Sequence, residues 1–262
     1  MHSFRLSLLS ALLAFASVPS LGAETSEGAF VIIEDQWIDE GYFDPGAQAS
    51  QFGARPDKVR LWPDGVLPIQ FKKNVGPALR QMVLEACAEW SRAANVRCIL
   101  GEYKGASLVI GRSFAGIEKG CWSMLGSDFY FLALRRRMNL GLGCDSYPTV
   151  LHELGHALGL THEHQRPDRD DYVQVLAQNV ADPFLGIGKK LNFAKQSAEA
   201  YTPYDFFSIM HYSRKATSKN GQDTLVPRPG FEHLIDVMGR ATRLSDLDRE
   251  AISAMYGPPP AG

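Results

Sequence analysis

The chain predicts an α+β fold, in which a sheet layer packs on helices and a largely irregular C-terminal part follows. Three features carry that expectation. Apolar strand segments alternate with a helix-period segment in the N-terminal half, a second helix bears clustered histidines, and beyond Gly159 clear periodicity is scarce until near the C-terminus. Val66-Leu67-Pro68-Ile69-Gln70-Phe71 reads as a strand. Pro77 to Ala94 reads as a helix, because Leu79, Met82, Val83, Ala86 and Trp90 recur along one face. Strands follow at Arg97–Leu100 and Ser107–Ile110. The continuous apolar run Phe129–Leu134 reads as a buried strand. Arg135-Arg136-Arg137 behind it reads as a solvated turn, three charges being too few for a polyanion site. The histidine-bearing helix runs from about Tyr147 to Gly159, and Ser245 with Asp248 makes a capping-box pattern that opens a last helix through Tyr256.

Composition narrows the class. Of 262 residues, 45% are hydrophobic and 21% charged, which is enough apolar mass for a sizeable core. A formal charge of −2 leaves no basic footprint, so nucleic acid is not an expected partner. At the N-terminus Arg5 precedes an apolar run from Leu6 to Val18, too short to span a bilayer comfortably, and the small residues Ser20, Gly22 and Ala23 follow. Residues 1–23 therefore read as a signal peptide cut near residues 20–23, and no later stretch is apolar enough for a membrane anchor. Export makes Cys87, Cys98, Cys121 and Cys144 readable as two disulfides, with three pairings open. Thiol ligation of zinc competes with that reading, but the spacing lacks any C-x-x-C pair.

Residues His152 to Glu163 spell H-E-x-x-H-x-x-G-x-x-H-E. On a helix His152 and His156 lie one turn apart on the same face, so both imidazoles can reach one ion. A third ligand from the next turn would point the wrong way. Gly159, free to take a positive φ, can end the helix and swing the chain back so that His162 approaches from the side. Three neutral imidazoles leave a tetrahedral zinc one open position for water, the arrangement of a catalytic site rather than a structural one. Glu153 follows the first ligand directly and can sit beside that water as general base. A bare H-E-x-x-H arises by chance on many amphipathic helices. The glycine and third histidine at fixed offsets, with the Met-turn pattern Ser208-Ile209-Met210-His211-Tyr212 downstream, decide for a metal site.

With these residues the sequence resembles the astacin family of zinc endopeptidases, in the metzincin clan. Glu163 after the third histidine carries the likeness, together with Arg166-Pro167-Asp168-Arg169-Asp170-Asp171-Tyr172-Val173 and Tyr204-Asp205-Phe206-Phe207-Ser208-Ile209-Met210-His211-Tyr212. Leu61-Trp62-Pro63-Asp64-Gly65-Val66-Leu67-Pro68, Gly120-Cys121-Trp122-Ser123 and Leu244-Ser245-Asp246-Leu247-Asp248-Arg249 match as well, so the likeness spans about residues 53–257. It implies a metzincin-like catalytic domain with a mixed twisted sheet, an active-site helix and two subdomains flanking a cleft. It also implies one zinc per chain, protein or peptide substrates cut at internal bonds, and a secreted monomer.

The resemblance assigns roles. Zinc polarises the scissile carbonyl and lowers the pKa of its water toward about 7. Glu153 takes that water's proton and passes it to the leaving amine. Tyr212 matches a tyrosine that ligates zinc at rest and swings away to hydrogen-bond the oxyanion. Met210 is an apolar floor beneath the histidines. Glu163 matches the residue that contacts the new N-terminus after the leader is removed. Residues 24–52 correspond to a propeptide in which Asp44 is the candidate latch on the zinc, with a simple flexible leader as the alternative. Lys219, then Arg214, are the candidates for binding acidic side chains of the substrate, and Trp122 is grouped with them as a substrate-binding residue. His164 and His211 read as solvated or core histidines, and Asp168, Arg169 and Asp170 as a structural charge network. The likeness pairs Cys121 with Cys144. Relatives tie the cysteine matching Cys98 to one near the C-terminus, which this chain lacks, and a short Cys87–Cys98 link is expected in its place. No EGF-like or CUB-like cysteine pattern follows Tyr256, so residues 258–262 read as a short tail on a bare catalytic domain. The alternative to an enzyme is a catalytically silent zinc-binding protein on the same scaffold. Loss of Glu153 or Tyr212 would have signalled it, and both are present.

Overall fold

The computed structural model describes residues 36–37, 54–56, 59–112, 120–127, 135–181 and 192–261. The proposed signal peptide, Asp44 and the expected strand Phe129–Leu134 lie outside them. The described strands in chain order are β1 (Gln36–Trp37), β2 (Ala54–Pro56), β3 (Val66–Phe71), β4 (Arg97–Leu100), β5 (Ser107–Gly111), β6 (Cys121–Met124), β7 (Arg135–Leu140), β8 (Val173–Val175), β9 (Ala198–Ala200) and β10 (Leu225–Pro227). The α-helices described in full are α1 (Pro77–Ala93), α2 (Tyr147–Ala157) and α3 (Asp246–Tyr256).

Six strands form one mixed sheet in the order β1-β6-β7-β5-β3-β4, parallel throughout except where β6 runs antiparallel to β7. The face carrying Leu67, Ile69, Leu108, Ile110, Met138 and Leu140 is buried with α1 and α2. The period-3.6 stripe of α1 does what its spacing predicts: Leu79, Val83, Ala86 and Trp90 are buried in that core. Trp90 also donates its indole N–H to the Leu151 carbonyl at 3.0 Å, joining α1 to the histidine helix. Both disulfides are present, Cys87–Cys98 from α1 to β4 and Cys121–Cys144 from β6 toward the start of α2.

The arginine triplet is not a turn. Arg135 opens strand β7, whose Met138 and Leu140 enter the core. A charged start is tolerated because Arg136 donates to the carbonyls of Leu125 at 2.6 Å and Gly126 at 3.2 Å, and Arg137 lies over the Trp122 ring at 5.7 Å.

Helix α2 is capped by Ser146, whose hydroxyl accepts from Thr149 N, and Pro148 sits in its first turn. Its N-terminal end is held by Glu89 of α1. This buried carboxylate accepts from the Tyr147 hydroxyl at 2.7 Å, Arg243 at 2.9 Å and Leu244 N at 2.9 Å. Burial pushes Glu89 up, but these donors outweigh it and hold the carboxyl below its ordinary range.

Beyond α2, among the described residues, the chain runs through short 3₁₀ turns and the two-stranded ribbons β8–β10 and β2–β9 until α3. It forms a second apolar cluster of Val173, Phe193, Tyr204, Phe206, Tyr212 and Leu225. The expected capping box on α3 is present, Ser245 and Asp248 exchanging side-chain-to-backbone bonds.

Candidate active site

Helix α2 brings His152 and His156 one turn apart, and the loop after it returns His162 to them. Gly159 has φ +108°, the conformation its place in the motif requires. Gly159 N then bonds to His156 O at 2.8 Å and Leu160 N to Gly155 O at 3.0 Å, closing the helix end. The three imidazoles converge, with ring centroids 4.7, 5.2 and 4.6 Å apart and candidate ligand atoms all within 4.8 Å of one another.

Their hydrogen bonds select the tautomer. His152 Nδ1 faces Ile209 O at 2.6 Å, His156 Nδ1 faces Leu160 O at 2.7 Å, and His162 Nδ1 faces the Gln165 Oε1 at 3.0 Å. A carbonyl oxygen can only accept, so each Nδ1 carries the hydrogen and each Nε2 keeps its lone pair for a metal. The Nε2 atoms of His156 and His162 are 3.2 Å apart. Two ligands of a tetrahedral zinc, each about 2.0–2.1 Å from it, are separated by about 3.3 Å. The donor set and its spacing fit zinc.

The floor of the site is built by the Met-turn. Met210 is 2% exposed, and a Cβ on Gly155 would meet its Sδ at 2.5 Å. The small residue inside H-E-L-G-H is therefore what lets methionine pack against the helix between the first two histidines. One residue from outside holds this turn. Asp248 accepts from Ser208 Oγ at 2.7 Å and Ile209 N at 2.8 Å, so the cap of α3 also positions the carbonyl that orients His152.

A family model for the astacin peptidases matches residues 54–257. The chain belongs to the astacin family. Among curated relatives of this astacin, bone morphogenetic protein 1 of Xenopus laevis is 32% identical over 214 residues, covering 80% of this chain and 28% of that protein. Zinc metalloproteinase nas-15 of Caenorhabditis elegans is 29% identical over 211 residues, covering 80% of this chain and 35% of its own length. The chain thus spans about a third of the length of these relatives. Among solved structures, high choriolytic enzyme 1, a hatching-enzyme zinc protease of Oryzias latipes, superposes with a TM-score of 0.63 at 26% identity over 76% of this chain and 94% of that one. The family is that of the astacin peptidases, and the relative nas-15 and the solved neighbour are named as a zinc metalloproteinase and a zinc protease.

The other expected residues fall as follows in the astacin fold. Glu153 is buried on α2, 1% exposed, between the first two histidines in sequence. Tyr212 is buried too, its ring 4.3 Å from that of His162 and stacked at 4.1 Å on His164. The site therefore sits where the two apolar clusters meet, with Met210 from the first and Tyr212 from the second. His164 and His211 are core histidines. Burial pushes His164 well below its ordinary range and His211 down to about 4.

Glu163 has a partner from its own loop. The 3₁₀ turn after His162 brings Arg166 round, and its guanidinium donates to Glu163 Oε1 at 2.8 Å while bridging Asp168 at 2.8 and 2.9 Å. Burial pushes the Glu163 carboxyl up to about 8, against the pull of Arg166 and the Asp205 N–H. Arg166, with a fully buried side chain, joins Glu163 to Asp168, while Arg169 and Asp170 pair with each other and Asp170 also with Lys195, so the expected charge network is two groups. The signal of Arg166 was available in the Arg-Pro-Asp run, but a charged loop residue reads first as solvated.

The substrate-binding candidates scatter. Arg214 is shared between Asp223, at 2.6 and 2.8 Å, and Asp236 at 3.2 Å. Lys219 is exposed, and its backbone N–H bonds to Asn179 O. Trp122 is buried under Arg137 on β6 and lines a cavity with Lys72, Arg112 and Asn139 to which none of the three histidines contributes.

Proposed function

We propose that His152, His156 and His162 hold the zinc, that Glu153 is the general base and Tyr212 the oxyanion donor, and that the chain is an exported enzyme made with a latent leader. The convergence of three imidazoles in one tautomer beside buried Glu153 carries this reading. When bound, the zinc acts as a Lewis acid on the scissile carbonyl and makes water there more acidic. Glu153 accepts a proton from the attacking water and returns it to the leaving nitrogen, so the C–N bond breaks with a neutral amine departing. Tyr212, held between His164 and His162, donates its phenolic hydrogen to the carbonyl oxygen as charge develops on it. Replacing Tyr212 with phenylalanine is expected to leave zinc content unchanged and to lower kcat by about 10²–10³-fold. An unchanged kcat would remove Tyr212 from the mechanism.

Strand β6 is the seat we assign to an extended substrate. Its far end leads to Gly126, whose N–H donates to His156 O at 3.1 Å, so the strand runs up to the histidine helix. The short strand β1 pairs with it in the parallel sense at Gln36↔Ser123 and Trp37↔Met124. A leader segment on that edge supports latency of the uncut chain. Lys219 remains the candidate for recognising acidic side chains, since Arg214 already has two carboxylates.

The test is cleavage of an unfolded protein by chain beginning at Gly53, beside chain still carrying the leader. Activity in the trimmed form that disappears with a chelator and returns with zinc supports the reading, and the cut sites report any preference for acidic residues. Zinc-loaded trimmed chain that cuts nothing would favour the silent zinc-binding alternative.

A further inference from the structure

The three histidines differ in what receives their Nδ1 hydrogens. For His152 and His156 the acceptors are the backbone carbonyls of Ile209 and Leu160, which any residue at those positions would supply. For His162 the acceptor is a side chain, the Gln165 amide oxygen. We propose that Gln165 is a positioning residue for the metal centre, fixing the ring orientation, tautomer and donor strength of His162. This rests on the assignment of His162 as a zinc ligand.

Local geometry dictates the contact. Residues 163–165 form a 3₁₀ turn closed by Gln165 N to His162 O at 3.0 Å. The turn brings the chain back on His162, the residue at its N-cap, and sets the Gln165 amide oxygen 3.0 Å from His162 Nδ1. The amide cannot drift from there. Gln165 is 1% exposed, its backbone carbonyl accepts from Gln196 N at 2.7 Å, and the Thr161 hydroxyl reaches its Oε1 at 3.1 Å. The same hydroxyl lies 3.1 Å from Gln196 Oε1, tying the loop to the segment that leads into β9.

The orientation of the amide follows from the ligand role of His162. If its NH₂ faced His162 Nδ1, that nitrogen would have to accept, and the ring hydrogen would move to Nε2, which points at the other two histidines. With oxygen toward Nδ1, Nε2 is left to ligate. An acceptor on the far nitrogen of a ligating histidine also raises its basicity, and removing such an acceptor typically weakens metal binding by about 10–100-fold. Of the three acceptors, only the one at Gln165 depends on side-chain identity.

The experiment measures zinc dissociation constants by chelator competition for wild type, Gln165→Met and Gln165→Glu. It is accompanied by the cobalt(II) absorption spectrum of each and by unfolding of the metal-free proteins. Methionine keeps the volume and removes the acceptor, so zinc should bind about 10–100-fold more weakly, with a shifted cobalt band. Glutamate restores an acceptor and should bind zinc more tightly than methionine does. Methionine binding zinc as tightly as wild type, or glutamate binding no more tightly than methionine, would overturn the proposal. If the metal-free Gln165→Met protein is destabilised, the glutamate–methionine comparison still decides, because both disturb the core and only one restores the acceptor. Wild type that fails to bind zinc would instead refute the ligand assignment itself.

Discussion

Replacing Glu153 with glutamine is expected to lower kcat by about 10²–10⁴-fold, the contribution of a positioned general base, with zinc content and fold retained. The two side chains are nearly isosteric, so the buried position on α2 is filled as before and the helix keeps His152 and His156 in place. Glutamine can hydrogen-bond the attacking water but cannot take its proton. The loss should therefore fall on kcat, while KM and zinc affinity stay close to wild type. Metal analysis and steady-state kinetics on an unfolded protein substrate check this together. A variant with wild-type kcat would place the base elsewhere. One that lost its zinc would show that Glu153 serves the metal site more than the proton transfer.

Replacing Arg166 with leucine should destabilise the protein by about 3–5 kcal/mol, the usual cost of removing one partner from a buried ion pair. At about 2–4 °C per kcal/mol for a chain of this size, the melting temperature should fall by roughly 6–20 °C. The guanidinium has no solvent exposure and satisfies Glu163, both oxygens of Asp168 and the Pro203 carbonyl, while lying 5.5 Å over the Tyr204 ring. Leucine would leave the Glu163 carboxyl buried near Asp205 and Asp248 without its guanidinium donor, and Asp168 without its forked partner. Lysine should not rescue, because it cannot make the forked contact with Asp168. Replacing Glu163 as well should add less than the cost of Glu163→Leu alone, since the buried carboxyl that lost its partner is then gone. Thermal and denaturant unfolding of the Arg166→Leu, Glu163→Leu and doubly substituted proteins decide the matter. A single-variant loss below about 1 kcal/mol, typical of an exposed pair, would mean the network contributes little.

The contrast between these two residues reflects what a sequence can reveal. The proposed role of Glu153 was legible because it follows from local helix geometry, with His152 before it and His156 one turn on. The positive φ of Gly159 was legible for the same reason, and so were β3, β4, α1 and α3, whose periodicity or capping pattern is contained within each segment. The strand at Arg135–Leu140 was missed because its charges suggest solvent, whereas two neighbouring strands and the Leu125 and Gly126 carbonyls accommodate them. Asp248 could be read as a helix cap, but not as the anchor of Ser208, 40 residues away in sequence.

By itself, then, the sequence determined the astacin family, the zinc, the clustering of three histidines and the helix that carries two of them, because each depends on spacing along one stretch of chain. Only the tertiary structure decided what orients those histidines and neutralises their surroundings: Ile209 behind His152, Gln165 over His162, Arg166 against Glu163, and Met210 in the gap left by Gly155. Such partners are chosen by how loops fold back on the helix. A buried polar group takes whichever donor or acceptor the packing brings within reach.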